Sequence, residues 1–456
     1  MTAPIDALRL EDAARAIAAR QLSPVDLVRA LIARIERFEP TIQAWAYLDP
    51  ERALHQARER EAQAARGDLL GPLHGVPLGI KDIFFTADQE TSAGSRILKG
   101  FVPSYDATVV ARLKARGAII LGKTHTTEFA AFDPAPTRNP WNPAHTPGGS
   151  SSGSAAAVAA RMCPGAFGSQ TAGSILRPAA YCGVVGLKPT YGRISRHGII
   201  PFAWTVDHPG PIARTVRDAA ILLEATAGAD PHDPTCAVVP VGRYRAACEE
   251  GAAGLRAGVP DRFFLDRADP EVSSAYHRSL DVLRKAGLDV REVALPAELE
   301  AAIEAHRVIM YAEAAAVHHD WLATRAEEYS PKLRGILEAG RQIPATAYLR
   351  AQQVRAVFAR AMRRLFEQTD LLALPATPTP APEGLGSTGD PIFNVLATTI
   401  GFPAIAVPCG ISTAGLPIGL QLVARPFEEA TLLRAAATFE AASGFSDLQP
   451  PLEQLG

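Results

Sequence analysis

The chain has 456 residues, of which 47% are hydrophobic and 21% charged, and its 46 basic and 48 acidic residues nearly cancel. This balance lacks the basic footprint of a nucleic-acid-binding protein, and no run approaches the roughly 18 apolar residues that span a membrane. Five scattered cysteines without a CxxC motif favour a reducing compartment over a disulfide framework. We therefore expect a cytoplasmic protein without a nucleic-acid or membrane partner.

The predicted elements begin with three helices, over residues 4–20, 24–38 and 51–66. Short apolar runs then alternate with helical patterns. Strands are predicted at residues 76–80, 118–121, 256–259, 289–294, 371–374, 404–408 and 417–423. Helices are predicted at residues 106–116, 154–162, 215–227, 296–324, 345–368 and 428–442. The alternation predicts an α/β sandwich with a largely buried sheet.

The candidate catalytic residues of this sequence lie in two glycine-rich turns and at one upstream lysine. The turns cover residues 148–154 and 168–174, and both contain serines, whereas Lys81 ends an apolar, strand-like run. A serine hydroxyl is a weak nucleophile until a neighbouring base takes its proton. Lysine can be that base only when it is neutral, and burial favours the neutral form. A plain ion pair between Lys81 and Asp82 is the alternative that these residues leave open.

The two turns and the lysine segment closely resemble the amidase signature family, the Ser-cisSer-Lys amide hydrolases. The resemblance spans roughly residues 70–425. It extends to the segments at residues 91–95, 101–103, 106–108, 121–124, 139–141, 186–190, 207–213 and 403–408. It implies one α/β/α fold with a large mixed sheet flanked by helices. It also implies one domain over residues 1–456, with a helical region to about residue 66, a signature core at about 70–225 and an α/β region at about 255–445.

The resemblance also implies the roles of the catalytic residues. Lys81 is then the base, Ser150 relays the proton beside a cis peptide bond, and Ser174 is the nucleophile, 24 positions (174 − 150) after Ser150. The small residues of the second turn can point their backbone N–H groups at one oxygen. We therefore predict an oxyanion hole made of Thr171, Ala172, Gly173 and Ser174.

Four further residues are predicted to contact the substrate. Gln170 stands where many members have Asp, and Arg177 is suited to bind a carboxylate, although a structural hydrogen-bonding role is equally compatible with the sequence. Phe129 and Trp204 are aromatic pocket candidates, with burial in the core as the alternative. An aromatic pocket would favour an aryl amide or a carbamate (urethane).

Two other motif matches are rejected. Residues 117–124 satisfy the P-loop pattern, but residues 118–121 within it are themselves a predicted strand. Residues 149–153 satisfy the G-x-S-x-G pattern, which would make Ser151 the nucleophile. The Pro-rich segment upstream cannot supply the strand that such an elbow requires.

The sequence thus predicts a serine hydrolase of amide-like C–N bonds that forms an acyl-enzyme and needs no cofactor and no metal. The expected partners are a small amide or carbamate substrate and, at most, a second copy of the chain in a homodimer. The alternative is the A subunit of a tRNA-dependent amidotransferase, which would require a partner subunit that accepts ammonia.

Overall fold

The structure is a computed structural model that describes residues 4–260, 262–445 and 447–454. The strands are β1 (Trp45–Leu48), β2 (Pro77–Lys81), β3 (Ile119–Thr124), β4 (Gly165–Gln170), β5 (Val185–Lys188), β6 (His208–Ala213), β7 (Arg256–Pro260), β8 (Asp289–Val293), β9 (Leu371–Pro375), β10 (Ala404–Ile411) and β11 (Pro417–Ala424). The helices are α1 (Leu10–Ala18), α2 (Pro24–Ile42), α3 (Pro50–Arg66), α4 (Thr108–Ala115), α5 (Ser152–Ala159), α6 (Leu176–Cys182), α7 (Val216–Thr226), α8 (Tyr244–Ala247), α9 (Arg262–Leu265), α10 (Pro270–Lys285), α11 (Leu299–Val317), α12 (His319–Thr324), α13 (Pro331–Arg341), α14 (Ala345–Gln368), α15 (Ile392–Thr399) and α16 (Glu429–Ser443).

All eleven strands join one mixed sheet, in the order β1-β3-β2-β4-β6-β5-β10-β11-β9-β7-β8. The pairs β2–β3 and β2–β4 are parallel, whereas β4–β6, β5–β6 and β10–β11 are antiparallel. The predicted α/β/α sandwich with a large mixed sheet is therefore confirmed. Strands from the beginning, middle and end of the chain share this sheet, and the single domain over residues 1–456 stays a prediction.

Several elements were absent from the sequence prediction. Strands β4 and β6 read Gly-Ala-Phe-Gly-Ser-Gln and His-Pro-Gly-Pro-Ile-Ala, compositions with low strand propensity. They form strands because each is fully buried and pairs with the other along its whole length. The prediction also missed β1, β5, α6, α8, α9, α10, α13 and α15.

The observed helices differ from several predicted boundaries, and two differences change the elements themselves. The helix predicted at residues 4–20 begins only at Leu10, and the one predicted at 296–324 divides at His318 into α11 and α12. No helix in the described part of the chain is both long enough and apolar enough to cross a membrane.

The fold brings the ends of two neighbouring strands together. Because β2 and β4 run parallel side by side, their carboxyl ends meet at the same edge of the sheet. Lys81 is the last residue of β2, and β4 ends with Ser169 and Gln170. The turn that follows β4 leads directly into α6. The predicted lysine and the predicted nucleophile turn thus lie at one edge of the sheet.

Candidate active site

Lys81 is a fully buried lysine that contacts two serines. Its Nζ donates hydrogen bonds to Ser150 Oγ at 2.7 Å and to Ser169 Oγ at 2.8 Å. Burial is the largest cause that lowers the pKa of Lys81 well below its ordinary value, and the charge of Asp207 partly opposes it. This environment favours the neutral amine that a base requires. Sequence reasoning missed Ser169, although it lies inside the quoted turn at 168–174.

The first serine turn is shaped by close backbone contacts. The peptide bond between Gly149 and Ser150 is cis, as the resemblance implied. Gly148 has φ +80°, and a Cβ at this position would lie 2.9 Å from Pro178 Cα, so only glycine fits. Ser150 is 1% exposed, and its carbonyl accepts a hydrogen bond from Thr127 N at 3.2 Å. The turn is therefore a buried, ordered element and not a flexible linker.

The second serine turn lies against the first. Ser151 N donates a hydrogen bond to the Ser174 carbonyl at 3.2 Å, which places the backbone of Ser174 next to the residue that follows Ser150. Ser174 is 7% exposed. Within the described residues, none of the N–H groups of residues 171–174 donates a hydrogen bond to another backbone group. Free donors in a buried turn are what an oxyanion hole requires.

Hydrogen bonds from three directions hold this turn in place. Gln170 Oε1 accepts from the N–H groups of Ile175 and Leu176 at 2.8 and 3.0 Å. Thr398 Oγ1 on α15 donates to the Ala172 carbonyl at 2.7 Å. On the opposite side, Thr171 Oγ1 donates to Asp207 at 2.5 Å. The donors of the predicted oxyanion hole are thus fixed before any substrate arrives.

A cavity of about 240 Å³ opens beside the turn. Ser169, Thr171 and Asp207 line it on the side of the triad, and Phe202 and Trp204 line its wall. Trp204 is 48% exposed, so this predicted pocket residue lies at the cavity mouth.

The structure places the three other residues predicted to bind substrate inside the protein. Phe129 is 1% exposed and packs with His318, Trp321 and Tyr329. It therefore lies in the protein core, which was the alternative to a pocket role. Gln170 is fully buried and caps the start of α6, as described above.

Arg177 takes the structural role that the sequence left open. Its guanidinium donates to Gly389 O at 2.9 Å, Gly149 O at 2.8 Å and Thr388 Oγ1 at 3.1 Å. These bonds tie the loop at residues 375–391 to the cis-serine turn. The geometry therefore favours a structural role for Arg177 over carboxylate binding.

Asp82 pairs with Lys123 and not with Lys81. Lys123 Nζ lies 3.2 Å from Asp82 Oδ1, and both side chains are almost fully buried. Lys123 is the lysine of the P-loop match, and it lies within β3, so that match forms no phosphate-binding loop. Because Asp82, the carboxylate nearest in sequence to Lys81, pairs with Lys123, the Lys81 amine contacts Ser150 and Ser169 instead.

Removing one partner of this buried pair is expected to destabilise the fold. Lys123→Met should lower the free energy of unfolding by about 3–5 kcal/mol, because the Asp82 carboxylate would be left buried without its cation. The matched control is Lys114→Met, which breaks the half-exposed Lys114–Asp106 pair and should cost less than about 1 kcal/mol. Urea denaturation measures both values. Equal losses in the two variants would contradict the prediction.

Ser151, the nucleophile of the rejected elbow interpretation, is fully buried. Its hydroxyl donates to Ser169 O and accepts from Ser169 N, both at 3.2 Å. It therefore braces the strand that carries Ser169. The described residues contain no group of three or more His, Cys, Asp or Glu that could hold a metal ion.

The buried contact between Lys81 and Ser150 and the large mixed sheet are features that the resemblance to the amidase signature family implied. The chain belongs to the amidase family, whose model matches residues 26–433.

Several named proteins and solved structures are similar to this chain. The A subunit of glutamyl-tRNA(Gln) amidotransferase from Roseiflexus sp. (strain RS-1) is 43% identical over 98% of each chain, and other relatives at 40–42% identity carry the same protein name. Among solved structures, the peptide amidase of Stenotrophomonas maltophilia is 33% identical over 98% of this chain and 99% of its own, with a TM-score of 0.86. A chain from a vestigial protein complex that reveals the origins of an s-triazine catabolic enzyme is 34% identical over 95% of this chain and 98% of its own, with a TM-score of 0.90.

These relatives correct the partner prediction. The sequence led us to expect a small amide or carbamate substrate, no nucleic acid and a monomer or homodimer. Relatives matched over nearly their full length are named as subunits of an amidotransferase of glutamyl-tRNA(Gln). The expectation of a small-molecule substrate without nucleic acid is therefore wrong. The exclusion of nucleic acid rested on near-neutral net charge, which averages over the whole surface and does not report on a local interface.

Proposed function

We propose that this chain cleaves an amide C–N bond through an acyl-enzyme on Ser174. The observation that carries the proposal is the 2.7 Å contact between Lys81 Nζ and Ser150 Oγ in a fully buried site. Neutral Lys81 takes the proton of Ser150 while Ser150 takes that of Ser174, and the Ser174 oxygen attacks the amide carbon. The N–H groups of residues 171–174 stabilise the resulting oxyanion.

The same relay then runs in the opposite direction. Protonated Lys81 returns its proton through Ser150 to the leaving nitrogen, so the C–N bond breaks and ammonia or an amine departs. Water, deprotonated through the same residues, attacks the ester on Ser174 and releases the acid. Lys81 thus serves as base and as acid in each half of the cycle.

We further propose that the chain works as the A subunit of a glutamyl-tRNA(Gln) amidotransferase, in which the released ammonia is passed on for transfer. This proposal is supported by relatives that are 40–43% identical and match over nearly the whole length of both chains.

A free-standing amide hydrolase is the second candidate. It is favoured by the peptide amidase, which matches this chain over 98% of its length. The largely apolar cavity wall around Phe202 and Trp204 also fits the acyl or leaving group of an aryl amide. The carbamate substrate and the cytoplasmic location stay predictions.

Ammonia release separates the two candidates. We would measure it from L-glutamine and from a C-terminal peptide amide, first with the purified chain alone and then with partner subunits of a glutamyl-tRNA(Gln) amidotransferase, glutamyl-tRNA and ATP. The amidotransferase proposal expects a gain of at least about tenfold with glutamine when the partners are present. Fast peptide-amide hydrolysis by the chain alone, unchanged by partners, would establish the second candidate instead. Ser174→Ala controls for ammonia from contaminants.

A further inference from the structure

Asp207 is a partly buried carboxylate between the oxyanion turn and the cavity wall. One of its oxygens accepts from Thr171 Oγ1 at 2.5 Å. The other accepts from the N–H groups of Phe202 at 2.7 Å and Ala203 at 2.9 Å. Asp207 directly precedes β6, whose first residue pairs with Gln170 at the end of β4, and this register brings the carboxylate beside Thr171. A single side chain therefore joins the turn that would bind the oxyanion to the wall that would bind the substrate.

The contacts of Asp207 are compatible with its ionised form. Burial is the largest influence on the carboxyl and raises its pKa, whereas the hydrogen bond from Thr171 and the charge of Arg196 act in the opposite direction. An ionised carboxylate is an acceptor only, and all three of its partners here are donors. These three hydrogen bonds thus favour a negative charge on Asp207 at the rim of the cavity, whereas burial disfavours that charge.

This charge also acts on Lys81. Strands β3 and β4 flank the strand that ends at Lys81, and few charged groups lie near its amine. Asp82 is paired with Lys123 at 3.2 Å, and burial lowers the pKa of His208 well below its ordinary value, which leaves that ring neutral. Asp207 is the charge that raises the pKa of Lys81 against the effect of burial. It therefore influences both the donors of the oxyanion hole and the base.

We propose that Asp207 is a positioning residue that aligns the oxyanion turn with the substrate cavity. The inference rests on the proposed chemistry at Ser174.

The test follows the reaction of Ser174 with an alkyl fluorophosphonate, so it does not depend on knowing the natural substrate. In this reaction the Ser174 oxygen bonds to phosphorus, fluoride leaves, and the proton passes through Ser150 to Lys81. The rate constant for labelling is measured against pH for the wild type, Asp207→Asn, Thr171→Val and Thr171→Ser. Thermal melts confirm that each variant is folded.

Asp233→Asn is the matched control. Asp233 lines the same cavity and likewise accepts from two backbone N–H groups, those of Arg196 and Thr235, and from the Thr235 hydroxyl. It makes no contact with the oxyanion turn. A general effect of losing a cavity carboxylate would therefore appear in both variants, whereas the proposed effect appears only at position 207.

Asp207→Asn should label about 10- to 100-fold more slowly at its optimum, because the donors of the turn lose their alignment. The midpoint of its acid limb should move to lower pH by about 0.5 or more, since the lost negative charge no longer favours protonated Lys81. Thr171→Val should slow labelling without moving the midpoint, and Thr171→Ser should restore most of the rate. Asp233→Asn should leave the midpoint in place.

Two results would overturn the inference. One is a wild-type rate and midpoint in Asp207→Asn, and the other is an equal midpoint shift in Asp233→Asn. If Asp207→Asn does not fold, a wild-type labelling rate in Thr171→Val would overturn the positioning role by itself. A wild type that is not labelled at Ser174 would contradict the proposed nucleophile, so failure of the proposed function is distinguishable from failure of this inference.

Discussion

Ser174→Ala is expected to reduce amide turnover by about 10⁴- to 10⁶-fold, because the attacking oxygen is lost while the rest of the site remains. The residual rate would come from the oxyanion donors of residues 171–174 and from substrate binding. Folding should be unaffected, since the change removes one oxygen from a turn that Gln170 and Thr398 hold in place. Ammonia release and a thermal melt of the same sample measure the two effects.

Ser151→Ala is the matched control for this experiment, because it removes a buried hydroxyl from the neighbouring serine turn. Its hydrogen bonds to Ser169 predict a loss of less than about tenfold, through a small displacement of the strand end. Near-normal turnover in Ser174→Ala together with an inactive Ser151→Ala would transfer the nucleophile to Ser151 and revive the elbow interpretation.

The second large effect is expected at Lys81. If the neutral amine is the base, the rate should rise with pH as Lys81 loses its proton, and the midpoint should lie well below the ordinary lysine value of 10.5, because burial lowers the pKa. Lys81→Arg should be inactive over the working pH range, since a guanidinium retains its proton. A pH–rate profile of kcat/KM for the wild type and this variant checks both expectations.

Lys81→Ala distinguishes the base role of the lysine from its acid role. Amides need a proton on the leaving nitrogen, whereas an activated ester such as a 4-nitrophenyl ester does not. The alanine variant should therefore lose at least about 100-fold more activity towards a 4-nitroanilide than towards the matching 4-nitrophenyl ester. Equal proportional losses would mean that Lys81 only activates the nucleophile. Full retention of both activities would remove Lys81 from the mechanism.

Much of the fold follows from local patterns in the sequence. The strands around residues 76–80, 118–121 and 371–374 and the helix at 345–368 lie within about three residues of their predicted ends. Their residues carry strong apolar runs or helical periodicity, so local preference and tertiary packing agree. By contrast, β4 and β6 consist of Gly, Pro and small residues with no strand signal, and they are strands because they pair with each other inside a buried sheet.

By itself, the sequence determined which type of chemistry is expected at the site, namely amide hydrolysis by a serine with a lysine as base. Glycine-rich turns and a lysine after an apolar run are local features that carry the resemblance to the amidase signature family, and that resemblance implied Lys81, Ser150 and Ser174 as the triad. The structure brings Lys81 and Ser150 into contact, with Ser174 in the adjoining turn. Near-zero net charge was a poor guide to partners, because it averages over the whole surface and carries no information about an interface.

The tertiary structure alone decided which polar groups meet. Gln170 and Arg177 were plausible substrate ligands, but long-range packing directs them to the start of α6 and to the loop at residues 375–391. Ser169 and Asp207 are 88 and 126 positions from Lys81 (169 − 81 and 207 − 81), and no spacing in the sequence indicates that they act on it. Ser169 contacts Lys81 because β2 and β4 are adjacent in the sheet, and Asp207 lies beside Thr171 because β6, which Asp207 precedes, is adjacent to β4. Strand order is set by the burial of whole strands, so the surroundings of the buried lysine, and with them its pKa, exist only in the folded chain.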